Sequence, residues 1–311
     1  MTLPRADTVV TYPAAAMHNE ATVLHLEPLA DDRTVVLLDA TCCHPVDTGW
    51  PDQGADHAVL RVGARDVRVA DCTVAATDGS TLFLGADIPV GKGESGWAFV
   101  VAHLVATHEL ATHELAAHEI VGDAAVAEGD TVEVVVDADY RRELSIGHTA
   151  CHVASLALNA ALAGRWRTDA RLDGLGNPDF DGLAIESSRI RENGSTDRFR
   201  LNKSLRRKGF TTEGLADELA AVQARVNELL ANWIDAGSTV RIDRDGERLT
   251  DRRYWECELN GTAVRIPCGG THVSSLAELS TVHVELSIAD ADGTPVLTMQ
   301  TDAAPGSRYS R

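Results

Sequence analysis

Hydrophobic and polar positions divide the chain near residue 140. Before it, apolar residues come in short valine-rich or alternating runs: TVVLLDATC at 34–42, HAVLRVGARDVRVADCTV at 57–74 and TVEVVVDADY at 131–140. Runs of this kind, separated by Gly and Asp clusters, predict strands. Parallel strands would need long intervening helices, and none is evident. Residues 1–140 are therefore expected to form a β-barrel-like domain, a small antiparallel barrel or sandwich. After residue 140, helical spacing takes over. HTACHVASLALNAALAG at 148–164 is rich in Ala and Leu and ends in glycine. Leu215, Leu219, Val222, Val226, Leu229 and Trp233 recur at steps of three and four, which predicts a helix capped by Thr212 and stopped at Gly237. Alternation returns at 239–243, 254–260, 262–267 and 281–288. Residues 141–311 are thus expected to be an α+β domain.

Composition narrows the class. Of 311 residues, 44% are hydrophobic and 24% charged, as in a globular protein. Aromatics are only 5%, so the cores must rest on Val, Leu, Ile and Ala. Acids outnumber bases 47 to 28, for a formal charge of −19. That excludes a generally basic nucleic-acid coat and leaves room only for a local basic patch. No apolar run reaches the ~18 residues a spanning helix needs. The N-terminal MTLPRADTVVTYP lacks the apolar stretch of a secretory signal, so a cytoplasmic location is expected. In that setting the six cysteines read as buried thiols or metal ligands rather than disulfides.

The chemistry centres on two distant pairs. His148 and His152 are spaced i, i+4, which puts both imidazoles on one helix face. Cys268 and His272 frame the sequence Cys-Gly-Gly-Thr-His, whose glycines are expected to let the backbone turn sharply. Three imidazoles and one thiolate form a borderline-soft set suited to Zn²⁺. Either pair alone is weak evidence. Their separation of about 115 residues points to a site between a helix and a distant loop, as in an enzyme cleft, rather than a local zinc knuckle. Thr149 and Thr271 flank the ligands and are candidate contacts for a bound acyl group; Thr271 is equally placed to cap a following helix. Cys151 lies off the histidine face and is expected in the core, and His283 on a strand reads as structural.

Three further features carry less. Histidines 103, 108, 113 and 118 recur every five residues, which shares no helix face, and read as a tandem duplication in a surface loop. GKGESG at 91–96 matches a dinucleotide fingerprint but sits among strands and reads as a hairpin turn. GLGNPDFDG at 174–182 is a loop of turn formers.

Two segments, GDTVEVVVDADYRRELSIGHTACHV at 129–153 and RIPCGGTHVSSLAEL at 265–279, resemble the two halves of the alanyl-tRNA editing domain. That domain occurs within alanyl-tRNA synthetases and as free-standing proteins, and is related to the editing domain of threonyl-tRNA synthetases. The resemblance implies an N-terminal β-barrel-like domain and an α+β editing domain with Zn²⁺ on His148, His152, Cys268 and His272 as the catalytic centre. It implies a trans-editing deacylase of mischarged tRNA, with a seryl or glycyl ester on the acceptor end of alanine tRNA as substrate. With 311 residues, no synthetase core is expected beside it. A pocket that hydrogen-bonds a serine hydroxyl would disfavour alanine, which leaves those groups unpaired. One segment departs from the family: in His44-Pro45-Val46-Asp47-Thr48-Gly49-Trp50-Pro51, Trp50 stands where a glutamine is usual, marking a divergent subgroup.

A tRNA must be held despite the charge of −19. Between 185 and 210, eight bases face three acids. Of these bases, Arg198, Arg200, Lys203, Arg206, Arg207 and Lys208 are the candidate tRNA contacts. Two other readings keep parts of this picture: a metal-dependent hydrolase of a small ester or amide, and a non-catalytic zinc- and tRNA-binding protein.

Overall fold

The computed structural model describes residues 2–110 and 126–306. The chain divides into two compact units, residues 1–141 with 244–252, and residues 142–243 with 253–311. No described helix is long and apolar enough to cross a membrane.

The first unit is a closed barrel of six strands. They are β1 (His18–Pro28), β2 (Arg33–Leu38), β3 (Ala58–Val62), β4 (Arg65–Thr77), β6 (Ala98–Ala106) and β7 (Thr131–Val136), with a short β5 (Leu82–Leu84) added on β4. The order β3-β7-β1-β2-β6-β4 closes because β3 also pairs with β4. All of these pairings are antiparallel. The long run at 57–74 is in fact a hairpin, turned at Gly63 with φ 60°. Strand β6 has no polar face to betray it. Phe99, Val101 and Val105 face the interior, whereas Val100, Ala102 and Leu104 join a separate cluster covered by Leu3, Leu29, Leu82 and Leu84. His103 shares the inward side of β6 and is fully buried. This corrects its assignment to a surface loop. His108 is exposed, and His113 and His118 lie outside the described residues.

Within the same unit, segment 244–252 returns to the N-terminus. Leu249 N donates to Thr8 O at 2.9 Å, and Val10 N donates to Glu247 O at 2.8 Å. Residues 91–96 form turns, with Gly93 and Gly96 at φ near 80°, between β5 and β6 rather than a hairpin of neighbouring strands. In the loop after β2, Trp50 is 65% exposed, while Gln53 three residues on is buried. The buried glutamine of this loop is therefore Gln53, and Trp50 is a solvent-facing loop residue. Asp56 and Arg141 form a buried ion pair, with Nε to Oδ1 at 2.6 Å. Arg141 also donates to Cys42 O at 2.7 Å.

In the second unit, helix α1 (Ala138–Ala161) starts ten residues before the predicted one, its first turn belonging to the barrel unit. The valine alternation stops at Val136, and the Asp137 carboxylate accepts from the backbone N–H of Asp139 and Tyr140, which starts the helix. Strands β8 (Ile185–Arg191) and β9 (Gly194–Arg200), helix α2 (Leu215–Ala236), and strands β10 (Val240–Arg244), β11 (Arg253–Leu259), β12 (Thr262–Pro267), β13 (Leu279–Ala291) and β14 (Thr294–Pro305) follow. They make an antiparallel sheet ordered β8-β9-β14-β13 and a three-stranded sheet ordered β10-β11-β12. The predicted apolar face of α2 is in the core, with Val222, Val226, Leu229 and Trp233 buried among Val284, Leu286, Leu297 and Met299. Gly237 does end it, at φ 63°, but Gly214 rather than Thr212 occupies the N-cap. Helix α2 also covers the free edge of β13. Asn227 bonds both the N–H and the C=O of Val284, and Gln223 accepts from Leu286 N.

Candidate metal centre

Helix α1 presents His148 and His152 on one face, with ring centroids 4.9 Å apart. Cys268 and His272 come from the loop after β12. Cys268 is fixed where its N–H donates to Arg253 O at 3.0 Å. Its Sγ lies 3.4 Å from His148 Nε2 and 3.2 Å from His272 Nε2. One ligand atom from each of the four residues falls within 4.8 Å of the other three. The two pairs predicted from sequence thus converge. The expected role of the glycines does not hold for Gly269, which has no left-handed φ and around which a Cβ would meet nothing within 4 Å.

The donor chemistry fits a borderline-soft divalent ion such as Zn²⁺. His148 is buried, whereas His152, Cys268 and His272 are only partly so. Orientation comes from a neighbour. Thr149 Oγ1 lies 3.2 Å from His272 Nδ1, which leaves Nε2 as the nitrogen facing Cys268. The same oxygen accepts from Val273 N at 3.3 Å, tying the loop to the helix. Thr149 is fully buried and Thr271 nearly so; the Thr271 hydroxyl accepts from Ser145 at 2.9 Å. Thr149 follows His148 on the helix and Thr271 precedes His272 in the loop. Thr271 does not cap the following short helix, whose N-cap is Ser275.

Two residues with a part here were not foreseen. A Cβ on Gly147 would lie 2.3 Å from Arg191 O and 2.6 Å from Gly194 O, so only glycine lets α1 approach the β8–β9 turn next to His148. Its sole signal in the sequence is a glycine inside a helical pattern. Trp255, fully buried, sets its ring 5.2 Å from that of His152 and walls that side.

Cys151 turns away from the ligands, as expected. Its Sγ lies 3.5 Å from the buried carboxylate of Asp197, and burial together with that charge raises the thiol pKa. Asp197 also accepts from Ser188 and Ser195. Residues 180–182 of the predicted turn-rich loop instead open a short helix, Phe180–Ala184, where Asp181 accepts from Ser155 at 3.1 Å; desolvation and then the Asp197 charge push its carboxyl up to about 7. His283 stands exposed on the outer face of β13.

The basic segment forms hairpin β8–β9 and a short helix, Lys203–Arg207. Arg198 and Arg200 share Glu186, at 3.6 and 2.6 Å. Arg206 donates to Leu201 O at 3.0 Å. Lys203, Arg207 and Lys208 are exposed and make no ion pair among the described residues.

No protein-family model matches the chain. The alanyl-tRNA editing protein AlaX-M of Pyrococcus horikoshii is 28% identical to it over 156 residues, which cover 49% of this chain and 53% of that protein. The chain thus spans about half the length of the curated relative it matches. The chain is thus similar to an alanyl-tRNA editing protein over about half its length, and it brings its His-x-x-x-His and Cys-Gly-Gly-Thr-His motifs together in space.

Proposed function

We propose that the protein is a zinc-dependent aminoacyl-tRNA deacylase acting in trans on a mischarged tRNA, most directly a seryl or glycyl ester on alanine tRNA. The observation that carries the proposal is the convergence of His148, His152, Cys268 and His272 from two distant segments in a chain similar to an alanyl-tRNA editing protein.

His148, His152, Cys268 and His272 would hold the ion, which when bound supplies a Lewis acid beside the ester. Thr149 keeps His272 in the ligating orientation by holding its Nδ1. Trp255 keeps water from the His152 side of the cluster. Lys203, Arg207 and Lys208 are the free cations for tRNA phosphates, with Arg198, Arg200 and Arg206 beside them in sequence and partly committed to internal partners. A serine hydroxyl in a polar pocket would be accepted and an alanine methyl disfavoured, because the methyl leaves buried donors unpaired.

The deciding experiment is deacylation of seryl-, glycyl- and alanyl-tRNA for alanine by the zinc-loaded protein and by His152→Ala. Hydrolysis of the seryl or glycyl ester, sparing alanyl and lost in the variant, is the expected result. Turnover of small esters with none of the acyl-tRNAs would replace this reading with that of a tRNA-independent hydrolase.

A further inference from the structure

We propose that the barrel interior holds a second metal site, built by Cys43, Cys72 and His103 and suited to a soft divalent ion of the zinc and cadmium class. One sulfur from each cysteine and one ring nitrogen of the histidine lie within 4.8 Å of one another. All three side chains are fully buried. They come from the loop after β2, from β4 and from β6, and Cys72 and His103 are direct cross-strand partners, so strand register fixes their spacing.

Two thiols and an imidazole are not what a barrel of Val, Leu and Phe needs to fill its centre; apolar side chains would do so without a polar cost. The imidazole is oriented for ligation. His103 Nδ1 lies 3.2 Å from Val36 O, a carbonyl that can only accept, so Nδ1 carries the proton and Nε2 the lone pair. Thr41 Oγ1 accepts from Cys43 N–H at 3.1 Å and, 2.9 Å from Nε2, donates its own proton to that lone pair; loading the ion turns this hydroxyl proton away and leaves the oxygen at hand for a fourth position. The third thiol of the region is engaged elsewhere, Cys42 Sγ donating to Val134 O.

Charge selects the valency. Two thiolates and a neutral imidazole around a divalent ion make a neutral unit, which a low-dielectric interior tolerates; a monovalent ion would leave a net buried charge. The buried Arg141–Asp56 pair of this unit is already balanced. Loading exchanges the two thiol protons for one divalent ion and releases two protons to solvent. Zinc bonds of about 2.0–2.3 Å place ligand atoms under ~4 Å apart, so about an ångström of side-chain adjustment closes the site. Because the three groups are enclosed, the ion should enter as the chain folds.

The test counts cadmium bound by the full-length protein produced or refolded in its presence. Two equivalents per chain are expected, one in Cys72→Ala and one in His152→Ala/His272→Ala. The double variant should retain a ¹¹³Cd resonance of a two-sulfur site, and that resonance should vanish when Cys72→Ala is added. Since His152→Ala/His272→Ala leaves the barrel untouched, it decides the matter even if Cys72→Ala fails to fold. A folded His152→Ala/His272→Ala protein without cadmium would overturn the proposal. So would a mass two hydrogens short that maps to a Cys43–Cys72 disulfide.

Discussion

Thr149 Oγ1 stands 3.2 Å from His272 Nδ1, one helical position after His148, so a fully buried hydroxyl on α1 holds a candidate ligand that arrives from a loop more than a hundred residues later. Removing such an outer partner of a metal-bound histidine weakens binding by about 10–100-fold. Thr149→Val is expected to lose zinc affinity in that range in a competition with a chelator while remaining folded, and Thr149→Ser to recover most of it.

Gly147 sits where a Cβ would enter the carbonyls of Arg191 and Gly194. Forced overpacking of this kind costs about 1–3 kcal/mol. Gly147→Ala should lower the urea midpoint accordingly and weaken metal binding at His148. An unshifted midpoint would show that α1 does not need this approach.

Asp181 sets a pH dependence whose sign is fixed by its environment. Its carboxyl is pushed from 3.8 up to about 7 by desolvation and by Asp197, so protonation favours the folded chain. Its contribution is full below pH 3.8, declines between about pH 4 and 7, and is constant above. The difference in unfolding free energy between Asp181→Asn and the parent should therefore change across pH 4–7 in favour of the variant and level off beyond.

Lys203, Arg207 and Lys208 are exposed and make no ion pair among the described residues. Changing all three to serine should reduce the slope of log Kd for tRNA against log salt by about one per charge. Metal content and hydrolysis of a small ester should be unchanged. An unaltered slope would move the tRNA surface elsewhere.

Asp56 and Arg141 are buried together in the first unit. Breaking one side of such a pair leaves an uncompensated buried charge and costs about 3–5 kcal/mol. Asp56→Ala should show a loss of that size in chemical denaturation, and Asp56→Ala/Arg141→Met should regain part of it.

Much of the candidate site was legible because its signals are local. A histidine pair four apart stays on one face wherever the helix lies, and Cys-x-x-x-His stays together whatever loop carries it. The apolar stripe of α2 and the strands at 254–259 and 262–267 were legible for the same reason. Strands β8 and β9 were not. Their hairpin is written in Arg, Glu, Ser and Thr, with a single buried Ile190 or Phe199 on its apolar side, and it reads as a charged surface until β14 lies beside it. Strand β6 was hidden for the opposite reason, since apolar cover on both faces erases the alternation that marks a strand.

The amino-acid order by itself determined the spacing of candidate ligands within each pair, the helical and alternating periods, and the motifs that resemble those of the editing domain. Those are short-range properties, set by 3.6 residues per helical turn and two per strand repeat. Only the tertiary structure decided that the two pairs meet, that Thr149 serves His272, and that His103 belongs beside Cys43 and Cys72 inside a barrel. Such contacts depend on strand register and on packing across scores of residues, where sequence distance says nothing about separation in space.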